Sequence, residues 1–286
     1  MFEMVNSAAS EKNAMPIPTE QLLMGLVAAA TIAAAARYLR ALSRSGAIAT
    51  TALGTVVFGF GGVGWAVPLL AFFILSSALS HASKRFSPRD FTEVFEKGGE
   101  RDAGQVLANG GIAGAVVLLN FFYPNPLWYA AFVGGLAAAA ADTWGTEIGV
   151  LGRGDVRSVL TFSVVPPGTS GGVSLAGSIG CVAGAAAVAC SGAFFANGSL
   201  GFIATTAIAG VIGAFADSLL GATLQVSYRC PRCGATTERR KHCGVETELA
   251  SGIAWVNNDA VNIACCVVGG AVAALVWWLA ASTEGL

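Results

Sequence analysis

Asp142 and Glu147 lie in "AADTWGTEIG" (140–149), at the end of a run, 103–141, that holds no Asp, Glu, Lys or Arg. At helical spacing Asp142, Thr143, Thr146 and Glu147 share one polar wedge, while Trp144 and Ile148 point away from it. "FADSLLGATLQ" (215–225) repeats the pattern: Asp217, Ser218, Gly221 and Gln225 fall on one helix face. Both segments read as small residues, then Ala-Asp-Ser/Thr, then a small residue one turn on. That is a weak internal repeat of the kind left by duplicated halves. In "ERDAGQVLANGG" (100–111), Arg101, Gln105 and Asn109 form a stripe at i, i+4 and i+8, and "NNDAVN" (257–262) clusters Asn258, Asp259 and Asn262. One reading has the acids pairing with Arg101 or Arg153 to tie helices together. Three aspartates and a glutamate exceed what one arginine can neutralise, so a divalent cation is the simpler partner. An all-oxygen donor set suits Mg²⁺ or Mn²⁺.

Two more segments carry chemistry. "PPGTSGGVS" (166–174) halts the chain at Pro-Pro-Gly and then opens a new apolar stretch with Thr-Ser-Gly-Gly. Backbone N–H groups at such a helix entry cradle phosphate, which makes Gly168, Thr169, Ser170, Gly171, Gly172 and Ser174 nucleotide-binding candidates. No Gly-Lys-Ser/Thr follows, so this is not a Walker A loop, and a plain cap and turn is the alternative. "CPRCGATTERRKHCG" (230–244) presents Cys230, Cys233, His242 and Cys243. Three thiols and an imidazole match a closed structural zinc site, with a redox pair or free thiols as the alternatives. Cys181, Cys190, Cys265 and Cys266 lie in apolar runs and read as packing residues. His81, beside Lys84 and Arg85, reads as interfacial.

The elements that position these residues follow from composition. Of 286 residues, 55% are hydrophobic and only 12% charged, with a mean hydropathy of +0.67. Soluble domains carry about 25% charged residues, so the chain is an integral membrane protein. Charge-free stretches at 21–36, 45–83, 103–141, 158–216 and 260–283 accommodate helices of about 20 residues. Turn signals at "GFGGVG", "YPNP" and "SGAFFANGS" split the longer ones. The expected fold is all-α and polytopic, with helices near 21–40, 46–60, 64–83, 105–122, 127–150, 171–191, 200–223 and 258–281. The second is short and Gly-rich, so the count is eight, or seven if it is re-entrant. Residues 1–18 read as a disordered tail ahead of one catalytic domain, 19–284, with loops at 84–104, 151–170 and 226–257. No basic segment precedes the first apolar run, so it does not read as a signal peptide. Every Lys and Arg except Lys12 falls in an odd-numbered connection, which places those connections and the acids in the cytoplasm and both termini outside. A net charge of −1 gives no footprint for a nucleic acid. The abundant Gly and Ala serve close helix packing.

"KGGERDAGQVLANGG", "ADTWGTEIG", "PPGTSGGVS", "ADSLLGATLQ", the Cys/His loop and "NNDAVN", in this order over about residues 45–275, resemble a family of integral membrane proteins. It includes the plant and cyanobacterial phytyl-phosphate kinases and transmembrane protein 19, and is catalogued as domain of unknown function 92. The resemblance implies transfer of a phosphoryl group from a nucleoside triphosphate, CTP first among them, to an isoprenyl (phytyl or geranylgeranyl) monophosphate in a bacterial or archaeal cytoplasmic membrane. The residues suit that chemistry. A phosphate monoester has a second pKa near 6 and is already a nucleophile at neutral pH, so no general base is required. Phosphoryl transfer then rests on positioning and charge stabilisation. On this reading Asp142 and Asp217, with Glu147 and Asp259, hold Mg²⁺, and Arg101 and Arg153 clamp charge. Asn109, Asn258 and Asn262 orient phosphate oxygens, and the tail lies between Ala/Gly-lined helices. Two rivals use the same residues: a CTP-dependent lipid-phosphate cytidylyltransferase and a cation-coupled transporter or flippase.

Overall fold

The structure is a computed structural model that describes residues 17–86, 99–152 and 154–283. The chain forms eight long helices among the described residues: α1 (Thr19–Tyr38), α2 (Arg44–Gly61), α3 (Val63–Phe86), α4 (Ala103–Phe122), α5 (Pro126–Leu151), α6 (Leu175–Ala193), α7 (Leu200–Thr223) and α8 (Asn258–Thr283). Each expected helix is present at nearly its expected limits. Starts and stops follow local chemistry. Ser43, Asp102, Asn125, Ser174 and Ser199 cap α2, α4, α5, α6 and α7 with side-chain oxygens, occupying amides that the first helical turn leaves unpaired. Asp102 and Gln105 complete a reciprocal capping box at α4.

Six of the eight, all but α2 and α5, are long and apolar enough to cross a membrane. The expected count of eight spans therefore exceeds what length and hydropathy alone support. α5 is the most enclosed helix of the bundle. It packs against α3, α4, α6, α7 and α8, and residues 130–141 are all buried. A helix enclosed by protein needs small side chains rather than oily ones, which "GGLAAAAA" supplies, and Trp128, Tyr129, Asp142 and Glu147 lower the mean hydropathy of the whole helix. Its neighbours answer with small residues of their own. Gly177, Gly180 and Gly184 of α6 lie against Gly145, Trp144 and Ala140, and Gly269 and Gly270 of α8 lie against Gly134 and Ala131.

The connections are not all irregular, which corrects the all-α expectation in detail. The fifth forms a three-stranded sheet in the order β2-β1-β3, from β1 (Val156–Ser158), β2 (Val164–Val165) and β3 (Gly172–Val173). The seventh holds β4 (Ser227–Arg229), β5 (Thr236–Thr237), β6 (Lys241–His242), β7 (Val245–Glu246) and β8 (Glu248–Ser251). Here β4 pairs with both β5 and β8, while β6 pairs with β7. Thr-Ser-Gly-Gly accordingly does not open α6. It turns the chain into β3, and α6 begins only after its cap, Ser174.

The odd-numbered connections gather at one end of the bundle. The first and third are joined by Ser43 N–H to Arg101 O (3.0 Å) and Arg101 N–H to Ala41 O (3.0 Å), and by an Arg37–Glu100 ion pair at 3.0 Å. The fifth and seventh meet through Ser170 and Glu238. Aromatic residues mark the opposite end. Trp65, Tyr129, Phe132, Phe202 and Trp277 stack edge to face or in parallel, and Tyr129 donates to the carbonyls of Gly64 and Gly192.

Candidate active site

Asp142 on α5 and Asp217 on α7 come together where these two helices pack. Their carboxyl groups are within hydrogen-bonding reach of each other, and Oδ2 of Asp217 is buried with no donor aimed at it among the described residues. Two carboxyl groups so placed repel one another unless a proton or a cation lies between them. The surrounding groups are thiols rather than cations: Cys181 from α6 lies near Asp142, and Cys265 and Cys266 from α8 lie near both aspartates. Three of the cysteines read as packing residues thus lie near the aspartate pair.

Glu147, one turn beyond Asp142, takes a different partner. It accepts a hydrogen bond from Ser83 at the end of α3 and faces Arg101. Arg101 sits in a parallel bridge to Leu42, and its guanidinium lies 6.0 Å from the Phe72 ring centroid. Burial lowers the Arg101 pKa, and the Glu147 charge opposes that. The arginine therefore serves Glu147 and is not the neutralising partner of the aspartate pair. Arg153, the other expected clamp, lies outside the described residues.

Arg101, Gln105 and Asn109 also line a cavity of about 100 Å³ enclosed by α1, α2, α3 and α4, whose remaining wall is almost wholly apolar (Leu53, Gly54, Val57, Phe73). The polar stripe expected on α4 is real, but two of its members are spoken for. Gln105 belongs to the capping box, and Asn109 donates to the Gln105 carbonyl at 3.0 Å.

The loop 166–174 packs onto the last turns of α7, within reach of the aspartates' end. Gly171 has φ +72°, and a Cβ there would collide with Ala222 and the Ser218 carbonyl, so both the turn and the close approach require glycine. Thr169 and Gly172 use their amides inside the loop, donating to Pro166 O and Thr169 O. The amides of Gly168, Ser170 and Gly171 take no protein acceptor among the described residues. Ser174 is engaged as the α6 cap, accepting from Gly177 N–H at 3.1 Å, which removes it from the set free to bind a ligand.

On α8, Asn262 is buried, one turn before Cys265 and Cys266, so it lies towards the aspartate pair. Asn258 and Asp259 form the first turn. Asn257 rather than Asn258 caps that turn, accepting from Ala260 N–H at 3.1 Å.

Three further participants join the site, of which Ser83 and Glu238 had not been singled out in the sequence. Ser83 holds Glu147. Gln225, buried after α7, donates to Glu238 at 2.7 Å. Glu238, from the seventh connection, also accepts from Ser170 at 3.4 Å and adds its charge near Asp217. Gln225 was visible as part of the Asp217 wedge. Glu238 was not, because a charged residue among "TERRK" reads as solvated surface.

The chain's residues 27–270 match the family described as integral membrane protein DUF92, and the chain belongs to that family of polytopic membrane proteins. It is similar to protein PGR of Arabidopsis thaliana (30% identical over 272 residues, covering 86% of this chain and 92% of that one). An uncharacterised membrane protein of Methanocaldococcus jannaschii is 28% identical over 259 residues, covering 90% of this chain and 94% of the relative. The chloroplastic protein VTE6 of Arabidopsis thaliana is 25% identical over 241 residues, covering 82% of this chain and 65% of that one. No solved structure matches the chain.

Proposed function

We propose that the protein is an isoprenyl-monophosphate kinase, transferring a phosphoryl group from a nucleoside triphosphate, CTP by the family resemblance, to give the isoprenyl diphosphate. The observation that carries this reading is the meeting of Asp142 and Asp217 beside the free amides of loop 166–174. An all-oxygen pair with an unpartnered buried oxygen fits a magnesium ion, with Asp142 and Asp217 as its holders and Asp259 and Glu147 in reserve. When bound, the ion would offset the charge of the donor phosphates.

The chain's own residues supply the rest. The amides of Gly168, Ser170 and Gly171 bind phosphate oxygens of the donor, and Asn258 and Asn262 approach from α8. Arg101 binds the acceptor monophosphate, whose tail enters the apolar cavity between α1 and α4 that Arg101 caps. An acceptor oxygen forms a bond to the γ-phosphorus while the bond to the β-phosphate oxygen breaks, so CDP leaves and the lipid carries two phosphates. No side chain needs to remove a proton, because the monoester dianion is already the nucleophile. That agrees with a site rich in Asp and Asn and without histidine. All eight helices are taken to cross the membrane, with the odd-numbered connections, and so the site, in the cytoplasm.

Purified protein incubated with a panel of isoprenyl monophosphates and each nucleoside triphosphate tests this, with products read by mass. The expected products are an isoprenyl diphosphate and a nucleoside diphosphate. Release of pyrophosphate with a cytidylyl-lipid would instead identify a cytidylyltransferase. Lipid movement across vesicles without nucleotide would identify a flippase.

A further inference from the structure

The segment 226–257 is poor in apolar residues, yet it is folded. Val226, Tyr228, Cys230 and Val256 are its buried hydrophobics, and β8 is exposed along its whole length. A loop this polar needs a cross-link in place of a core. Two tight hairpins supply the means. In the first, β4–β5, Cys230 N–H donates to Ala235 O (2.9 Å) and Gly234 N–H returns to Cys230 O (2.8 Å). The chain folds around the Cys230 and Cys233 thiols as it does in a Cys-x-x-Cys metal knuckle. The second, β6–β7, turns at Cys243 and Gly244. Cys243 has φ +53°, a left-handed conformation that a cysteine adopts only against steric resistance. It lets the consecutive side chains of His242 and Cys243 converge instead of diverging.

The four ligand atoms of Cys230, Cys233, His242 and Cys243 all lie within 4.8 Å of one another. His242 Nδ1 is 3.5 Å from Cys233 Sγ and 3.2 Å from Cys243 Sγ. Thiolates bound to one tetrahedral zinc at about 2.3 Å are roughly 3.8 Å apart, so the cluster is within a small closure of that geometry. Charge also matches. A dication with three thiolates and a neutral imidazole is a net monoanion, and Arg232, Arg239, Arg240 and Lys241 belong to the same loop. Arg232 donates to Cys243 O at 3.0 Å.

The geometry points to a zinc ion held by Cys230, Cys233, His242 and Cys243, whose task is to present Glu238 to the phosphate-binding loop. Glu238 follows β5 and precedes β6, so both hairpins set its position. Its carboxylate joins Gln225, next to the last turn of α7, to Ser170. Each thiol gives up its proton to solvent when the metal binds. The metal's presence stands apart from the kinase reading. The effect of Glu238 on turnover rests on it.

Elemental analysis of the purified full-length protein tests the site, together with the absorption of protein refilled with cobalt. One zinc per chain is expected, with cobalt giving visible thiolate-to-metal and ligand-field bands. Cys233→Ser and Cys243→Ser should each lower zinc content at least tenfold and expose residues 226–257 to protease. In contrast, Glu238→Gln should keep full zinc and lower phosphoryl transfer about tenfold. Because Cys243→Ser could misfold, His242→Cys serves as a second variant expected to retain metal and shift the cobalt spectrum. Protein that carries no zinc and takes up no cobalt under reducing conditions would overturn the metal site, as would a native disulfide within the cluster. Full zinc with turnover unchanged in Glu238→Gln would overturn the positioning role. Full zinc with no transfer in the parent protein would overturn the kinase reading and leave the metal site standing.

Discussion

Asp142 and Asp217 come from helices far apart in the sequence, and neither has a lysine or arginine of its own among the described residues. Removing one carboxylate relieves the repulsion that a cation would otherwise offset, so Asp217→Asn should leave the fold intact. It should lower phosphoryl transfer on the order of 10³-fold, the scale of losing one preorganised charge-stabilising group. Size-exclusion profile and turnover measured together separate the two effects. Arg101 makes a different prediction. Lysine keeps the charge but loses the planar fork and the stacking on Phe72. Arg101→Lys should therefore raise KM for the lipid phosphate about tenfold, near 1.4 kcal/mol, and change kcat less. At this scale the sequence revealed the acids, because a carboxylate in an apolar run stands out. It hid Ser83 and Glu238, whose partners are 64 and 68 residues away. Nothing in the spacing of a serine predicts a glutamate on another helix.

Helix limits were legible because capping residues fall at the starts of α2, α4, α5, α6 and α7, from Ser43 to Ser199. The connections were not, because strands of two or three residues leave no periodicity to detect. Loop 166–174 shows the cost: its glycines suggested a helix entry, while long-range pairing of Arg157 with Val173 makes it a strand and turn. Its rigidity is testable. Gly171→Ala adds a Cβ against Ala222 and forces a non-glycine residue to φ +72°. That should cost about 1–3 kcal/mol, read as a lower melting temperature and a KM for nucleotide raised more than that for lipid. The cavity between α1 and α4 gives an opposite specificity. Ala28→Leu, at a lining position with room for a larger side chain, narrows it and should depress turnover with twenty-carbon isoprenyl phosphates more than with ten-carbon ones, with KM for nucleotide unchanged. Equal losses across chain lengths would remove the cavity from the tail's path.

In the whole molecule, α5 forms the axis and the chemistry collects at one end of it. On the proposed topology that end faces the cytoplasm, as the positive-inside pattern expects. Cysteine introduced at Ser163, in the fifth connection, should react with an impermeant maleimide only in inside-out vesicles, and cysteine at Tyr123, between α4 and α5, only in right-side-out ones. Both positions are exposed. Shared labelling would mean that fewer than eight helices cross. Hydropathy does not mark α5 as a span, whereas its residues 130–141 are all buried against protein. The gathering of its last turns with α7, loop 166–174 and α8 is what the kinase account rests on, and Asp142 is its centre. The most direct test is Mg²⁺-dependent transfer from CTP to an isoprenyl monophosphate by purified Asp142→Asn protein. The account predicts that turnover is abolished while the protein stays folded; near wild-type turnover would contradict it.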